Sequence, residues 1–255
     1  TGIVAGSTNG GDIAVVTNGD VKGKTNGIVL GSSGKISVTT GGTVTGANNG
    51  IVVSGSSSVN IDTSKGGLVT NAGVLGTGIG AISVFGDISI TTAAVKGAAT
   101  GISADSSTGA ITIVTKDNVE ATTGIAILAG KTTSGDVKVT TGGTVKGADG
   151  IQAVATGNGK ITINSTGGEV TSTTGVGILM TSQGGEISVT TGKVTSTGDI
   201  AIRATSSTGN IAIVTNGAVV ANGGFVGTFA QTNGAGTIAV TANKSVTGTA
   251  SSGIV

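Results

Sequence analysis

The chain has 255 residues, of which 50 are glycine and only 1% are aromatic, so it lacks the large apolar side chains of an ordinary globular core. Charged residues make up 10% of the chain and the formal net charge is +1; since the lysines are scattered singly, no basic patch for nucleic acid or anionic lipid is predicted. The absence of cysteine excludes disulfides and thiolate metal sites. No apolar run reaches the ~20 residues that span a bilayer, so we expect no membrane insertion of this segment.

The first recurring element is a Gly-Ile dipeptide, or a close variant, that returns about every 25 residues and marks the first strand of each coil. Eleven such anchors bound ten coils, at Gly2-Ile3, Gly27-Ile28, Gly50-Ile51, Gly73-Val74, Gly101-Ile102, Gly124-Ile125, Gly150-Ile151, Gly175-Val176, Asp199-Ile200, Gly224-Phe225 and Gly253-Ile254. Self-similarity at this period is typical of solenoids.

The second element of each coil is an apolar residue, any residue, then Val or Ile, which is the period-two pattern of a strand with one buried face. These pairs are Ile13/Val15, Ile36/Val38, Val59/Ile61, Ile88/Ile90, Ile111/Ile113, Val137/Val139, Ile161/Ile163, Ile187/Val189, Ile211/Ile213 and Ile238/Val240. Four residues after the first member stands an inward column of Thr17, Thr40, Thr63, Thr92, Thr115, Thr141, Ser165, Thr191, Thr215 and Ala242. We expect each hydroxyl to bond its stacked neighbour or a backbone group of the corner.

The third element begins with a lone valine, at Val21, Val44, Val69, Val95, Val119, Val145, Val170, Val194, Val219 and Val246. Two residues later the side chain is nearly always small, as a cramped interior corner requires: Gly23, Gly46, Asn71, Gly97, Ala121, Gly147, Ser172, Ser196, Ala221 and Gly248. Coil four is long, and an insertion is predicted around Ala81 to Phe85, where Ala81 to Val84 and Asp87 to Ile90 compete for the second strand. Coil ten is also long and holds Phe225 and Phe229, so these two coils are the expected places for a protrusion.

Together these patterns predict an all-β fold, a parallel β-helix or β-solenoid of about ten coils with three strands each, which occupies residues 1–255 as a single domain. Consecutive coils repeat the same order, so their strands should pair parallel and in register at about 4.8 Å per coil. We expect a right-handed coil, because parallel crossovers are right-handed in most sheets.

The segments GKISVTTGGTVTGANNGI (34–51) and GDVKVTTGGTVKGADGI (135–151), with Gly-Ile at the corners, resemble the passenger regions of bacterial autotransporter and related adhesin proteins. The resemblance spans the whole chain. It implies a right-handed parallel β-helix that is exported through an outer-membrane barrel and displayed on, or released from, the cell surface. The signal peptide, hydrophobic cap and barrel of that family are not in this sequence, so the cellular role is carried over by analogy.

Histidine, cysteine, tyrosine and tryptophan do not occur, which removes the commonest general base, the thiol nucleophile and the aromatic platforms of sugar-binding grooves. Parallel β-helices also include polysaccharide lyases and hydrolases, which use clustered Asp residues or an Arg or Lys base, but Arg203 is the only arginine here. We therefore predict no catalytic, cofactor-binding or metal-binding residues and no cofactor, and expect that the chain is not an enzyme.

Acidic residues recur just before the second strand, at Asp12, Asp87, Asp136 and Glu186, interleaved with Lys35 and Lys160. A functional interpretation would make this column a calcium or substrate site. The interpretation we favour is a solvated strand edge with alternating charge that keeps the rod soluble, because the acidic coils are separated along the chain.

Ice binding is a rival function, since some solenoids bind ice through flat outward arrays of threonine. The outward column of the second strand is too mixed in size and charge to match a lattice: Ala14, Ser37, Asn60, Ser89, Thr112, Lys138, Thr162, Ser188, Ala212 and Ala239.

The chain starts and stops at the same phase of the repeat, which would leave two open edges of three strands each. Either it continues into a longer solenoid, or copies stack head to tail so that Ile254-Val255 lies over the next copy's Ile3-Val4. We expect an extracellular structural or adhesive protein of the bacterial cell surface, a rod or filament-forming subunit with surface or glycan contacts. A polysaccharide-processing enzyme and an ice-binding solenoid are the alternatives.

Overall fold

The structure, a computed structural model, describes residues 1–223, 225–249 and 252–255, and at position 131 the backbone alone. Thirty strands lie in these ranges and follow each other three to a coil. The predicted parallel β-solenoid of ten coils is therefore confirmed. In the part of the chain that the structure describes there is no helix, and so none that could cross a bilayer.

The strands form three parallel ten-stranded sheets. The first sheet contains β1 (Ile3–Ser7), β4 (Asn26–Ser32), β7 (Asn49–Gly55), β10 (Thr77–Ser83), β13 (Thr100–Ser106), β16 (Ile125–Thr132), β19 (Asp149–Ala155), β22 (Ile178–Ser182), β25 (Ile202–Ser206) and β28 (Thr228–Thr232). The second contains β2 (Ile13–Thr17), β5 (Ile36–Thr40), β8 (Val59–Thr63), β11 (Ile88–Thr92), β14 (Ile111–Thr115), β17 (Val137–Thr141), β20 (Ile161–Ser165), β23 (Ile187–Thr191), β26 (Ile211–Thr215) and β29 (Ile238–Ala242). The third contains β3 (Val21–Gly23), β6 (Val44–Gly46), β9 (Val69–Asn71), β12 (Val95–Gly97), β15 (Val119–Ala121), β18 (Val145–Gly147), β21 (Val170–Ser172), β24 (Val194–Ser196), β27 (Val219–Ala221) and β30 (Val246–Gly248).

Within a coil we call the turn from first to second strand the first corner, that from second to third strand the second corner, and that leading to the next coil the third corner. The predicted second and third strands start at the predicted residues in all ten coils. Their apolar side chains point inward and stack in columns, so that Ile88 lies between Val59 and Ile111. One continuous apolar core runs through the rod.

Five of the first-strand anchors are wrong, because the third corner varies in length and the buried residue comes later than predicted. Gly73-Val74, Gly124-Ile125, Gly175-Val176, Asp199-Ile200 and Gly224-Phe225 precede the true inward residues, which are Ile79, Ile127, Ile178, Ile202 and Thr228. Val74 is 85% exposed while Ile79 is fully buried between its neighbours in coils three and five. Gly224 lies outside the described residues.

The insertion predicted at Ala81 to Phe85 in coil four is also wrong. Ala81 and Ser83 lie in β10, in register with Val53 and Gly55 of the preceding coil. The extra residues instead form the third corner before this strand, at positions 72–76, where Gly76 has a φ of +146°. The two segments that compete for the second strand of coil four thus belong to β10 and β11 respectively.

The predicted column of small residues at the end of the third strand is confirmed, and its variation follows corner length. At Gly23, Gly46 and Gly97 the chain folds back so tightly that an added Cβ would collide with a backbone carbonyl three residues later. Where the third corner is longer, Ala121 and Ser172 occupy this position and are buried. Glycine is therefore required where the return to the first strand is shortest.

The inward hydroxyl column at the second corner is buried as predicted, but only part of the expected hydrogen bonding is present. The hydroxyls of Thr63 and Thr92 lie 2.7 Å apart, and Ser165 donates to Thr191 at 2.8 Å. Among the described residues, five members of the column have no hydrogen-bond partner in the protein: Thr17, Thr40, Thr115, Thr141 and Thr215.

A second hydroxyl column, not predicted from the sequence, lies at the first corner. Ser83, Ser106 and Thr132 each donate to a backbone carbonyl of the preceding coil, at 2.8, 3.1 and 3.0 Å. Each also accepts from the glycine N–H three residues later in its own coil, at 2.9, 2.9 and 2.8 Å. Hydroxyls and peptide groups thus alternate in one hydrogen-bonded chain along coils four to six.

Candidate functional surfaces

The acidic column before the second strand has a structural role. Asp12, Asp87 and Asp136 each accept, through Oδ1, the backbone N–H of the residue at the same position in the next coil, at 2.7, 2.8 and 2.8 Å. Glu186 instead pairs with Lys160 of the preceding coil at 3.5 Å. In the described part of the chain there is no cluster of three or more acidic side chains able to hold a metal ion. The three aspartates thus hydrogen-bond consecutive coils to each other, a role that neither interpretation of the column predicts.

The same inter-coil bond occurs at other corners, where sequence reasoning missed it. Side-chain oxygens accept backbone N–H groups of the next coil in six further places among the described residues: at Asn210, in line with the acidic column, and at Asp20, Asn49, Asn71, Asn118 and Asp149. A corner N–H cannot continue the strand ladder, and a short Asp or Asn side chain supplies the acceptor that it would lack. Asp or Asn directly before a strand, or at its first or last residue, was the available signal.

Asp62 lies near the end of β8, beside the second corner of coil three. The backbone N–H of Ser64 donates to Asp62 Oδ1 at 3.0 Å, and the hydrogen bonds from Ser64 lower the pKa of Asp62 below its ordinary value of 3.8. Burial opposes this shift weakly, while the nearby charges of Lys116 and Lys65 add to it.

The outer face of the third sheet is narrow and charged. Lys96 pairs with Glu120 at 3.3 Å, and Lys146 lies beside Glu120 in the next coil. A polar concavity of about 210 Å³ lies here, lined by Glu120, Asn118 and Lys146 among others. Exposed pairs of this kind contribute little to stability, so their main consequence is the charge of this face.

The outer face of the first sheet is uneven. A concavity of about 320 Å³ opens over Gly130, between Asp105, Leu128, Gln152 and Val154. It forms where a glycine interrupts a column of larger side chains and where the register of β16 shifts between Ala129 and Thr132. Further along the same face, the guanidinium of Arg203 lies 5.7 Å from the ring centre of Phe229.

Exposed apolar side chains lie on the corners before and after β10 in coil four. Val74 and Leu75, on the inserted third corner, are 85% and 74% exposed, and Phe85 at the first corner is 71% exposed. In the other long coil, Phe229 belongs to β28 and Phe225 lies in the corner before it. Of the corner that closes coil ten, Ala250 and Ser251 lie outside the described residues.

The outer face of the second sheet carries mostly short side chains. It consists of the second and fourth residues of each strand, and we call it the second-sheet face. The second residues are those weighed for ice binding, and they point outward as predicted. The fourth residues are Val16, Thr39, Asp62, Thr91, Val114, Thr140, Asn164, Thr190, Val214 and Thr241. Of the twenty residues in the two columns of this face, two are charged: Asp62 among the fourth residues and Lys138 among the second residues.

No family model, no curated protein and no solved structure matches this chain. What the protein does must therefore be inferred from its own geometry.

Proposed function

We propose that the chain is a structural or adhesive rod, displayed outside the cell at a bacterial surface, and that it is not an enzyme. The observation that supports this best is the use made of its acidic side chains. Asp12, Asp87 and Asp136, from which a glycan-processing site would be built, each hold the backbone of the next coil. These carboxylates therefore act as hydrogen-bond acceptors that stabilise the solenoid, as expected of a structural protein.

The mechanism of such a rod is geometric. Three sheets run through all ten coils without a break and present Thr, Ser, Asn and Lys side chains at a constant spacing. Many weak contacts along one rigid body add up to strong attachment, because once the first contacts form the others are intramolecular. The resemblance to autotransporter passenger regions supports a place at the cell surface.

The open strand edges of the outermost coils are part of this proposal. Ile238 in coil ten is 44% exposed, whereas Ile211, its neighbour in the same column, is 1% exposed. An edge of this kind pairs readily with another strand. Further coils of a longer chain, or a second copy stacked head to tail, would bury these residues and lengthen the rod.

Surface display tests the proposal. The chain, anchored in the outer membrane of a bacterium, should increase retention of the cells on glass and on cell monolayers relative to the anchor alone at equal density. Two adjacent substitutions form a matched pair: Ile161→Asp puts a charge into the core, while Thr162→Asp puts the same charge on the exposed face. We expect loss of adhesion and protease resistance with the first and retention of both with the second.

Adhesion equal to that of the anchor alone, together with unchanged protease resistance of Ile161→Asp, would contradict the proposal. Release of new reducing ends or unsaturated products from acidic glycans would instead indicate a polysaccharide-processing enzyme. Arrest of ice growth at low protein concentration would indicate the ice-binding alternative.

A further inference from the structure

One of the two residue columns of the second-sheet face, the fourth position of the strand, repeats every four coils. At the fourth position of the strand, valine occupies coils one, five and nine, and Asp or Asn occupies coils three and seven. Threonine occupies every even coil. Along the whole column, odd-numbered coils thus carry Val, Asp or Asn at this position and even-numbered coils carry Thr.

The hydrogen bonds behind this face follow the same period. Asp62 and Asn164, four coils apart, each accept the backbone N–H of the residue two positions later, at 3.0 and 3.2 Å. The bonded hydroxyl pairs at the second corner join coils three and four and coils seven and eight. The unpartnered hydroxyls fall in coils one, two, five, six and nine. A four-coil module is thus present in the bonding as well as in the sequence.

From this pattern we propose that two copies of the chain associate side by side through their second-sheet faces, antiparallel, about a twofold axis between coils four and five. Coils one to eight, two complete modules, then overlap, and coil three of one copy faces coil six of the other. Every odd coil faces an even coil. Val114 therefore lies against the partner copy's threonine column, as Val16 does, and no two valines or two Asx side chains meet.

The charges of the face fit this arrangement. Asp62 lies in coil three, on β8, and Lys138 lies in coil six, on β17. The twofold axis places Asp62 of each copy over the β17 strand of the other, next to Lys138, so the two charges of one copy are paired by the two of its partner. A parallel arrangement in full overlap would instead place each charged coil against its own equivalent. Interfaces bury unpaired charges only at high cost.

The size of the face suits a dimer. Eight coils at about 4.8 Å and five-residue strands at about 3.3 Å per residue give roughly 600 Å² per copy. That is about 1,200 Å² in total, at the lower end of specific interfaces. Over coils one to eight the other two faces fit a partner less well, because the first carries the hollow over Gly130, and the third is three residues wide and carries a row of charges.

Sedimentation equilibrium of the 255-residue chain, over a range of concentrations and at low and high salt, tests this inference. A dimer is expected. Val114→Arg should raise its dissociation constant by about 100-fold or more, because the guanidinium would be buried near the axis without a partner. Val52→Arg is the matched control, since Val52 is an outward, half-buried valine on the first sheet, and it should leave association unchanged.

Lys138→Glu provides a second test, because it places like charges together across the axis. It should weaken the dimer at low salt and less so at high salt. Far-UV circular dichroism and melting of each variant establish that the solenoid is intact.

A chain that stays monomeric, a dimer insensitive to Val114→Arg, or equal sensitivity to Val52→Arg would overturn the inference. So would long head-to-tail assemblies alone. None of these outcomes depends on the adhesion assay, so a surface rod without lateral pairing and a lateral dimer without adhesion are distinguishable results.

Discussion

The first and second corners of the coil both follow a strand that ends in an inward hydroxyl. The hydrogen bonding of that hydroxyl differs between the two corners. At the first corner, Thr132 donates one hydrogen bond and accepts another. At the second corner, Thr115 is equally buried and has no partner. The difference lies in the backbone. The N–H of Gly135, in the same coil as Thr132, donates to the Thr132 hydroxyl. The N–H of Gly142, in the coil after Thr115, donates instead to the Thr115 carbonyl, at 2.6 Å.

A corner hydroxyl is therefore stabilising where it has a partner, and at the first corner of coils four to six that partner is a peptide group of the next turn. In the first corner a Ser or Thr followed three residues later by Gly makes this bond in several coils, as in Ser83-Val84-Phe85-Gly86, although Ser182 with Gly185 has the same spacing and its hydroxyl has no partner in the protein. In the second corner the backbone groups pair with each other between coils, and the threonine contributes its methyl group to the packing. Substitution of threonine by valine, which keeps the shape, separates the two roles.

Thr132→Val should give the largest effect. It leaves the Gly109 carbonyl and the Gly135 N–H without the hydroxyl that bonds both, and we expect the free energy of unfolding to fall by about 2–3 kcal/mol. Urea denaturation followed by circular dichroism measures this. Thr132→Ser keeps the hydroxyl and should recover most of the loss. A loss no larger than that of the same change at Thr115 would show that the two corners do not differ.

Thr63→Val should have an intermediate effect, because it leaves the hydroxyl of Thr92 buried without its partner. We expect a loss of about 1–2 kcal/mol for the single change. The double variant Thr63→Val, Thr92→Val removes both hydroxyls and should return close to the wild-type stability. A double-mutant cycle in urea gives the coupling between the two sites. Additive losses would mean that the 2.7 Å contact contributes nothing.

Thr115→Val should act in the opposite direction. Its hydroxyl is buried and has no partner in the protein, so its removal should raise the free energy of unfolding by about 1 kcal/mol. Thr215 occupies the equivalent position four coils further on, so Thr215→Val repeats the test. The midpoint of urea denaturation reports the sign, and destabilisation of both variants would contradict the assignment.

The sequence predicts the second and third strands to the residue but misplaces half of the first strands, and the reason is physical. Ile125 and Ile127, Val176 and Ile178, and Ile200 and Ile202 are pairs two residues apart with the same inward parity. Only pairing with the neighbouring coils selects the second member of each.

The surfaces were harder to predict than the strands. The acidic column was found, but its hydrogen bonds to the next coil depend on a corner N–H whose direction no composition rule gives. The four-coil period is confined to the fourth residue of each second strand, and the second residue, which the ice-binding hypothesis concerns, does not share it.

The smallest expected effect compares Asp62 with Asn164, which make the same turn four coils apart. Because the folded-state pKa of Asp62 lies below its ordinary value, the folded chain binds this proton less readily than the unfolded chain does. Its contribution to stability is therefore present above about pH 4 and is lost as the pH falls through the lower folded-state value. Asn164 cannot titrate.

Asp62→Asn should thus lower the melting temperature near pH 7 slightly, because the contribution of the charged form is lost, and should reduce its fall below about pH 4. Asn164→Asp should add to that fall, since the backbone N–H of Thr166 would favour the ionised carboxyl at this turn as that of Ser64 does at the other. Melting curves of the three proteins against pH decide this. If Asp62→Asn follows the wild type at every pH, then the hydrogen bonds from Ser64 do not hold the charged form, and the two turns are equivalent in energy as well as in shape.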